Sequence, residues 1–140
     1  MIFYLPLILI VTATAAYHVG QKSVPSQVHP MFSVSVNYVV ALLGSLLVLP
    51  FYPGNSLRSS FKNMNWSSIV VGIAIIGIEL GFLLVYRAGW RISLAALVAN
   101  VLTALLLVFV GLAAFHEHLT ARHIAGVLLC IVGLTLVMKP

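Results

Sequence analysis

The sequence predicts an all-α integral membrane protein with five transmembrane helices, and three observations lead to that prediction. Hydrophobic residues make up 62% of the 140 residues and charged residues only 6%, whereas about a quarter of an ordinary soluble domain is charged. Apolar stretches that approach the roughly 20 residues needed to cross a bilayer recur along the chain. The few charged residues fall almost entirely between those stretches. We therefore expect residues 1–140 to form a single transmembrane domain that is solvated by lipid.

The predicted spans cover residues 2–19, 30–52, 66–86, 93–115 and 122–138. The first span contains Ala13, Thr14 and Ala15, which are typical of a signal-peptide cleavage site, but it lacks a positively charged start. We therefore predict that it is a helix of the mature protein. Tyr17 and His18, at its end, are interpreted as interfacial residues because amphipathic rings favour the headgroup level.

The second, third and fourth spans carry polar groups on stripes of small or polar residues. Helical spacing aligns Asn37 with Gly44, Glu79 with Tyr86, and Asn100 with Ala104. In lipid, such stripes indicate helix contacts or cavity walls, because small residues permit close approach and amides need partners. For the two asparagines, helix packing and substrate binding both stay open.

The fifth span has a seam of small residues and no deep ionisable group. Gly126, Cys130 and Gly133 lie on one side of the predicted helix. Glycines seven residues apart allow a neighbouring helix to approach closely. We therefore predict a packing helix, whose partner lies either within the chain or across a dimer.

The charges bear on orientation in the membrane. The net charge is +5, but the basic residues come singly between apolar runs, which is typical of topology signals and not of nucleic-acid binding. One predicted side carries three Lys or Arg residues and the other carries four. These are Arg58, Lys62 and Arg122 against Lys22, Arg87, Arg91 and Lys139. A difference of one does not fix orientation, so insertion one way and insertion both ways stay open.

Glu79 is the charged residue that lies deep within a predicted span. An ionised carboxylate in hydrocarbon is costly, so such a group normally faces a cavity or a partner, or takes up a proton. We expect Glu79 to exchange a proton or a cation. The alternative is a permanently protonated Glu79 that donates one hydrogen bond between helices.

Three polar residues are predicted to lie at one depth. Glu79, Asn37 and Asn100 are each seven residues from the span end on the Lys22 side, which places them about 10 Å below that interface. We predict that these residues, together with Tyr86, form the substrate-binding or coupling site.

The cluster His116, Glu117 and His118 suggests a metal, because imidazole and carboxylate groups are zinc ligands. However, residues two apart do not share a helix face, and the chain has no His-Glu-x-x-His motif. The sequence therefore predicts an interfacial turn here, and neither a metal nor another cofactor.

The stretch Phe115-His116-Glu117-His118-Leu119-Thr120, with the later Gly126, Leu129 and Gly133, resembles a known pattern. It is similar to the Glu-x-Leu-Thr turn and glycine-patterned last helix of the EamA-like branch of the drug/metabolite transporter superfamily. The segment from Tyr86 to Trp90 is similar to that family's turn after the third helix of a repeat. The resemblance is close from Glu79 to Val137 and extends to the rest of the chain by the number of spans.

The resemblance implies a ten-helix fold made of two five-helix repeats in opposite orientation, of which this chain is one repeat. It also implies that substrate binds between the repeats near mid-membrane. Two copies that pair head to tail would restore the inverted arrangement. The related small multidrug resistance proteins have an essential acid in the first of four spans. The first span here contains no acid, so the role of Glu79 is predicted from the cost of burying it.

We therefore expect a secondary transporter of small organic metabolites or drugs, and not an enzyme, in a bacterial cytoplasmic membrane. Its expected partners are a small-molecule substrate, protons, lipid and a second copy in an antiparallel homodimer, with no nucleic acid. Two alternatives stay open. One is a non-transporting subunit or regulator of a larger complex. The other is an intramembrane enzyme or flippase that acts on lipid headgroups through His116, Glu117 and His118.

Overall fold

A computed structural model of the chain describes residues 4–51, 57–116 and 120–138, which form α-helices and no β-strand. The helices are α1 (Leu5–Ser23), α2 (Pro30–Val48), α3 (Leu57–Asn63), α4 (Trp66–Arg87), α5 (Ile92–Ala114) and α6 (Ala121–Met138). A short 3-10 helix, Leu49–Phe51, follows α2. The all-α prediction is confirmed, and the five longer helices overlap the five predicted spans.

The helices differ in how well they fit a bilayer. By length and composition, three stretches among the described residues can cross a membrane: Pro30–Phe51, Trp66–Arg87 and Ile92–Ala114. The apolar part of α6, Arg122–Met138, is shorter. Helix α1 has 19 residues, and its last turn contains polar side chains that reduce its apolar length.

Prolines account for two of the helix ends. Helix α1 continues past the predicted end of the first span to Ser23, and Val24 is extended with φ −64° and ψ 122°. Val24 precedes Pro25, whose ring disfavours helical geometry in the preceding residue. Helix α2 ends at Val48 for a related reason, since Pro50 has no N–H with which to continue the helix.

The chain divides into two compact units, Met1–Ala88 and Gly89–Pro140. In the first unit, α4 packs against both α1 and α2. Its most buried side chains include Val34 of α2 and Leu83 of α4. Helix α4 begins at an N-cap, Asn65, whose side-chain oxygen accepts a hydrogen bond from the Ser67 backbone N–H at 3.0 Å. A shared central helix thus brings side chains from three helices together.

The loop between α1 and α2 is attached to the end of α4. Val28 N–H donates to the Pro25 carbonyl at 3.1 Å, which closes a turn in this loop. The Arg87 guanidinium, in the last turn of α4, donates to the carbonyls of Pro25, at 3.2 Å, and of Val28. These contacts fix the ends of α1 and α2 relative to α4.

In the second unit, α5 and α6 pack against each other. Gly89 begins this unit with φ +92°, a left-handed conformation that suits glycine. Ala95 and Gly111 of α5 are buried. Helix α5 ends at Ala114, and His116 then has φ 52°.

Candidate functional site

The Glu79 carboxylate is held by side chains from two other helices. Asn37 Nδ2, on α2, donates to Glu79 Oε2 at 3.0 Å. Gln21 Nε2, on α1, donates to the same oxygen. Helices α1, α2 and α4 therefore meet at one carboxylate oxygen, and we refer to Gln21, Asn37 and Glu79 as the carboxylate–amide cluster.

The two hydrogen bonds stabilise an anion without adding positive charge. Hydrogen bonds to an ionised acceptor are stronger than those between neutral groups. An amide group is neutral, however, so the negative charge of an ionised Glu79 is retained in a half-buried position. A carboxylate in this setting attracts a proton or a cation. Chemically, the cluster therefore offers one negative charge to a positively charged group.

Gln21 was not predicted, and it is almost completely buried, with 4% of its surface exposed. Its Nε2 also lies 3.5 Å from the Tyr17 hydroxyl, one helical turn earlier. Its carbonyl Oε1 is buried and has no hydrogen-bond partner in the described part of the chain. An unpaired buried acceptor costs about 1–3 kcal/mol. This oxygen is therefore an acceptor site that a donor would occupy favourably.

An aromatic cluster adjoins the carboxylate–amide cluster and consists of Tyr17, His18, Phe82 and Tyr86. The His18 and Phe82 ring centroids are 4.7 Å apart in an edge-on arrangement. The Tyr86 hydroxyl lies 2.9 Å from His18 Nδ1. His18 is 5% exposed and Tyr86 is 4% exposed. Packing against Phe82 and Tyr86 buries His18, because α1 and α4 contact each other at this point. The interfacial depth expected of His18 stays a prediction.

A cavity of about 250 Å³ lies next to the carboxylate–amide cluster. Its lining residues are Tyr17, Gly20, Gln21, Val24 and Asn37. Gln21 and Asn37 therefore each contact Glu79 and also line the cavity. The amide groups of Gln21 and Asn37 would therefore separate a solute in this cavity from the Glu79 carboxylate.

Asn100 belongs to the second unit and is exposed on α5. It lines a mainly apolar cavity of about 580 Å³ between α5 and α6, together with Gly126. Among the predicted site residues, the structure thus brings Glu79 and Asn37 into direct contact and places Tyr86 in the adjoining aromatic cluster. The expectation that Asn37, Asn100 and Tyr86 contact substrate stays a prediction.

The glycine seam of α6 is open. A Cβ atom built at Gly126 or Gly133 would meet no other atom within 4 Å among residues 4–51, 57–116 and 120–138. No other described helix therefore makes the close approach that these glycines allow. Their role in packing or dimer formation stays a prediction.

The predicted His116 turn is described in part, because Glu117 and His118 lie outside the described residues. His116 itself is exposed and follows Phe115, the C-cap of α5. Its left-handed φ places it where helices often end with glycine. Over the described ranges, no three His, Cys, Asp or Glu residues are grouped as metal ligands.

Comparison with known proteins identifies a family. The model of the EamA-like transporter family matches residues 1–139, which is almost the whole chain. No curated protein and no solved structure matches the chain.

Proposed function

The chain belongs to the EamA-like transporter family, and we propose that it is a secondary transporter of small organic metabolites or drugs in which Glu79 couples substrate to protons or cations. The observation that carries this proposal is the carboxylate–amide cluster beside a cavity, with Glu79 bound by neutral Gln21 and Asn37.

Coupling follows from competition for one carboxylate. A proton on Glu79 removes the negative charge that attracts a cationic or polar solute, and a bound solute opposes protonation by the same free energy. If the cavity opens to each side of the membrane in turn, a proton gradient can then drive solute movement. Asn37, Tyr86 and Asn100 are the further residues that we place beside the substrate.

We further propose that the working unit is an antiparallel homodimer in a bacterial cytoplasmic membrane. Five long helices correspond to one repeat of the two-repeat fold that the family resemblance implies. The Lys and Arg count of three against four leaves both orientations accessible. Two oppositely oriented copies would place two Glu79 residues around the membrane midplane, where inverted-repeat transporters bind substrate.

The proposal is tested by solute flux in liposomes that contain the pure protein and have an imposed pH difference. Glu79→Gln keeps the size of the side chain and one acceptor oxygen, but it removes the negative charge and the titration. We expect this variant to fold and to lose pH-driven flux, because the amide cannot exchange a proton.

Glu117→Gln is the matched control, because Glu79 and Glu117 are the two acidic residues of the chain. It should transport like the wild type. Full pH-driven flux in Glu79→Gln would remove Glu79 from the mechanism. A wild-type protein with no flux that co-purifies with a stoichiometric second chain would instead indicate a non-transporting subunit. Headgroup chemistry that depends on His118 and not on Glu79 would indicate the enzyme or flippase alternative.

A further inference from the structure

We propose that the cavity beside the carboxylate–amide cluster binds solutes whose ammonium group carries N–H donors, and that the Gln21 carbonyl oxygen accepts one of these hydrogen bonds. Gln21 is thereby a specificity-determining residue. The inference rests on the proposed function, because it names the class of substrate that the same site takes.

The Glu79 carboxylate determines the orientation of the Gln21 amide. An ionised carboxylate accepts hydrogen bonds and donates none, so Gln21 must turn its NH₂ group towards Glu79. The carbonyl Oε1 is then directed away from the carboxylate. It is buried and has no partner within the described ranges. Since Gln21 also lines the cavity, a solute with a donor group can satisfy this oxygen with a small side-chain adjustment.

The cavity lining favours a cation. None of its described residues is basic, and Tyr17 contributes an aromatic ring. Aromatic faces and carboxylates both attract cations. A quaternary ammonium ion meets these two requirements but has no N–H for Oε1. A primary or secondary ammonium ion meets all three, and the site should therefore prefer it.

The same Gln21 amide also responds to protonation of Glu79. A protonated Glu79 has an O–H donor, so Gln21 can reverse and direct its carbonyl towards Glu79. Its NH₂ group would then be directed away from Glu79 and would occupy the position of the carbonyl oxygen. An ammonium ion needs an acceptor at this position and would find a donor. The other titratable groups near this site belong to two sets. Tyr17 and Tyr38 lie within electrostatic range of Glu79, and His18 and Lys22 lie by Tyr86. A protonated Glu79 that holds Gln21 in this reversed orientation leaves an ammonium ion without its acceptor, so protonation and ammonium binding compete at Gln21.

The test is equilibrium binding, by calorimetry, of benzylammonium and benzyltrimethylammonium to the purified full-length protein in lipid nanodiscs. The two probes share a ring and a positive charge and differ in their N–H donors. We expect the wild type to bind benzylammonium roughly tenfold more tightly, as one hydrogen bond to a charged donor gives.

Gln21→Met tests the residue, because methionine has a similar length but no carbonyl. In this variant the preference for benzylammonium that comes from the hydrogen bond should be lost. Any remaining difference in affinity should reflect only the different sizes of the two ammonium groups. Gln27→Met is the matched control, since it makes the same change at an exposed position of the α1–α2 loop. This control should keep the wild-type preference.

Three results would overturn the inference. They are equal or tighter binding of the quaternary probe by the wild type, an unchanged preference in a folded Gln21→Met variant, and no binding of benzylammonium by the folded wild type. None of these results affects the flux comparison between Glu79→Gln and Glu117→Gln. Failure of the amine inference is therefore distinguishable from failure of the transporter proposal.

Discussion

At the residue scale, the central feature is one carboxylate oxygen that binds two amides. Glu79 and Asn37 could be identified from the sequence, because a carboxylate and an amide within apolar stretches need partners. Gln21 could not, because the hydrophobic pattern ends before it and predicts a loop at that position. The available signal was Pro25, which permits α1 to continue to Ser23 and places Gln21 one turn after Tyr17.

His116 has a role in the backbone conformation at the end of α5. Its left-handed φ of 52° is a conformation that glycine adopts at low cost and that most L residues avoid. His116→Gly is therefore expected to raise the free energy of unfolding by up to about 1 kcal/mol, measured by thermal unfolding in detergent. His116→Val should lower it by about 1–2 kcal/mol, because a β-branched side chain is poorly tolerated there.

The flux of the His116→Gly variant distinguishes this structural role from a catalytic one. If the role is structural, His116→Gly should keep wild-type flux. A stable His116→Gly variant that has lost its activity would show that the imidazole is needed chemically, as the headgroup-enzyme alternative requires.

At the element scale, the longer helices were predictable because each needs only a continuous apolar stretch. Prolines explain the ends of α1 and α2, and Asn65 caps the start of α4. Helix α3 was not predicted, since its seven residues are fewer than the apolar pattern of a span requires. Its Leu57 and Phe61 are one turn apart and exposed, and this spacing is the signal that the sequence offered.

The attachment of the α1–α2 loop to α4 gives a prediction at this scale. Arg87 donates to two loop carbonyls, so Arg87→Gln should lower the free energy of unfolding by about 1–2 kcal/mol. Thermal unfolding in detergent is the measurement. Arg91→Gln is the control, because Arg91 is exposed and its side chain does not cap α5. A surface change of that kind should cost less than about 0.5 kcal/mol. Equal stability of the two variants would contradict this role for Arg87.

The packing of α4 against both α1 and α2 explains why the site could be predicted only in part. Spacing along one helix shows which residues share a face, and Glu79 and Tyr86 do so. It does not show which neighbouring helix that face meets. The burial of His18 against Phe82 and Tyr86 depends on the contact between α1 and α4, which no local pattern in α1 determines.

At the scale of the whole molecule, the side chains facing outward are those of a membrane protein. Most large apolar side chains of the described residues are exposed, including Leu47 at 73% and Phe109 at 69%. In water such a surface would aggregate, whereas in a bilayer it contacts lipid. This feature was fully predictable from composition, because 62% hydrophobic residues cannot all be buried in a chain of 140. The family match agrees with an outward-facing apolar surface, since EamA-like proteins are membrane transporters.

Pairing of two oppositely oriented copies is the central claim about the working unit, and membrane topology tests it directly. Single cysteines introduced as Ser60→Cys and Pro140→Cys, in a Cys130→Ala background, are labelled with a membrane-impermeant reagent from each side of the membrane. The account predicts that each position is labelled from both sides, in comparable fractions. Labelling of each position from one side alone would contradict antiparallel pairing by dual insertion.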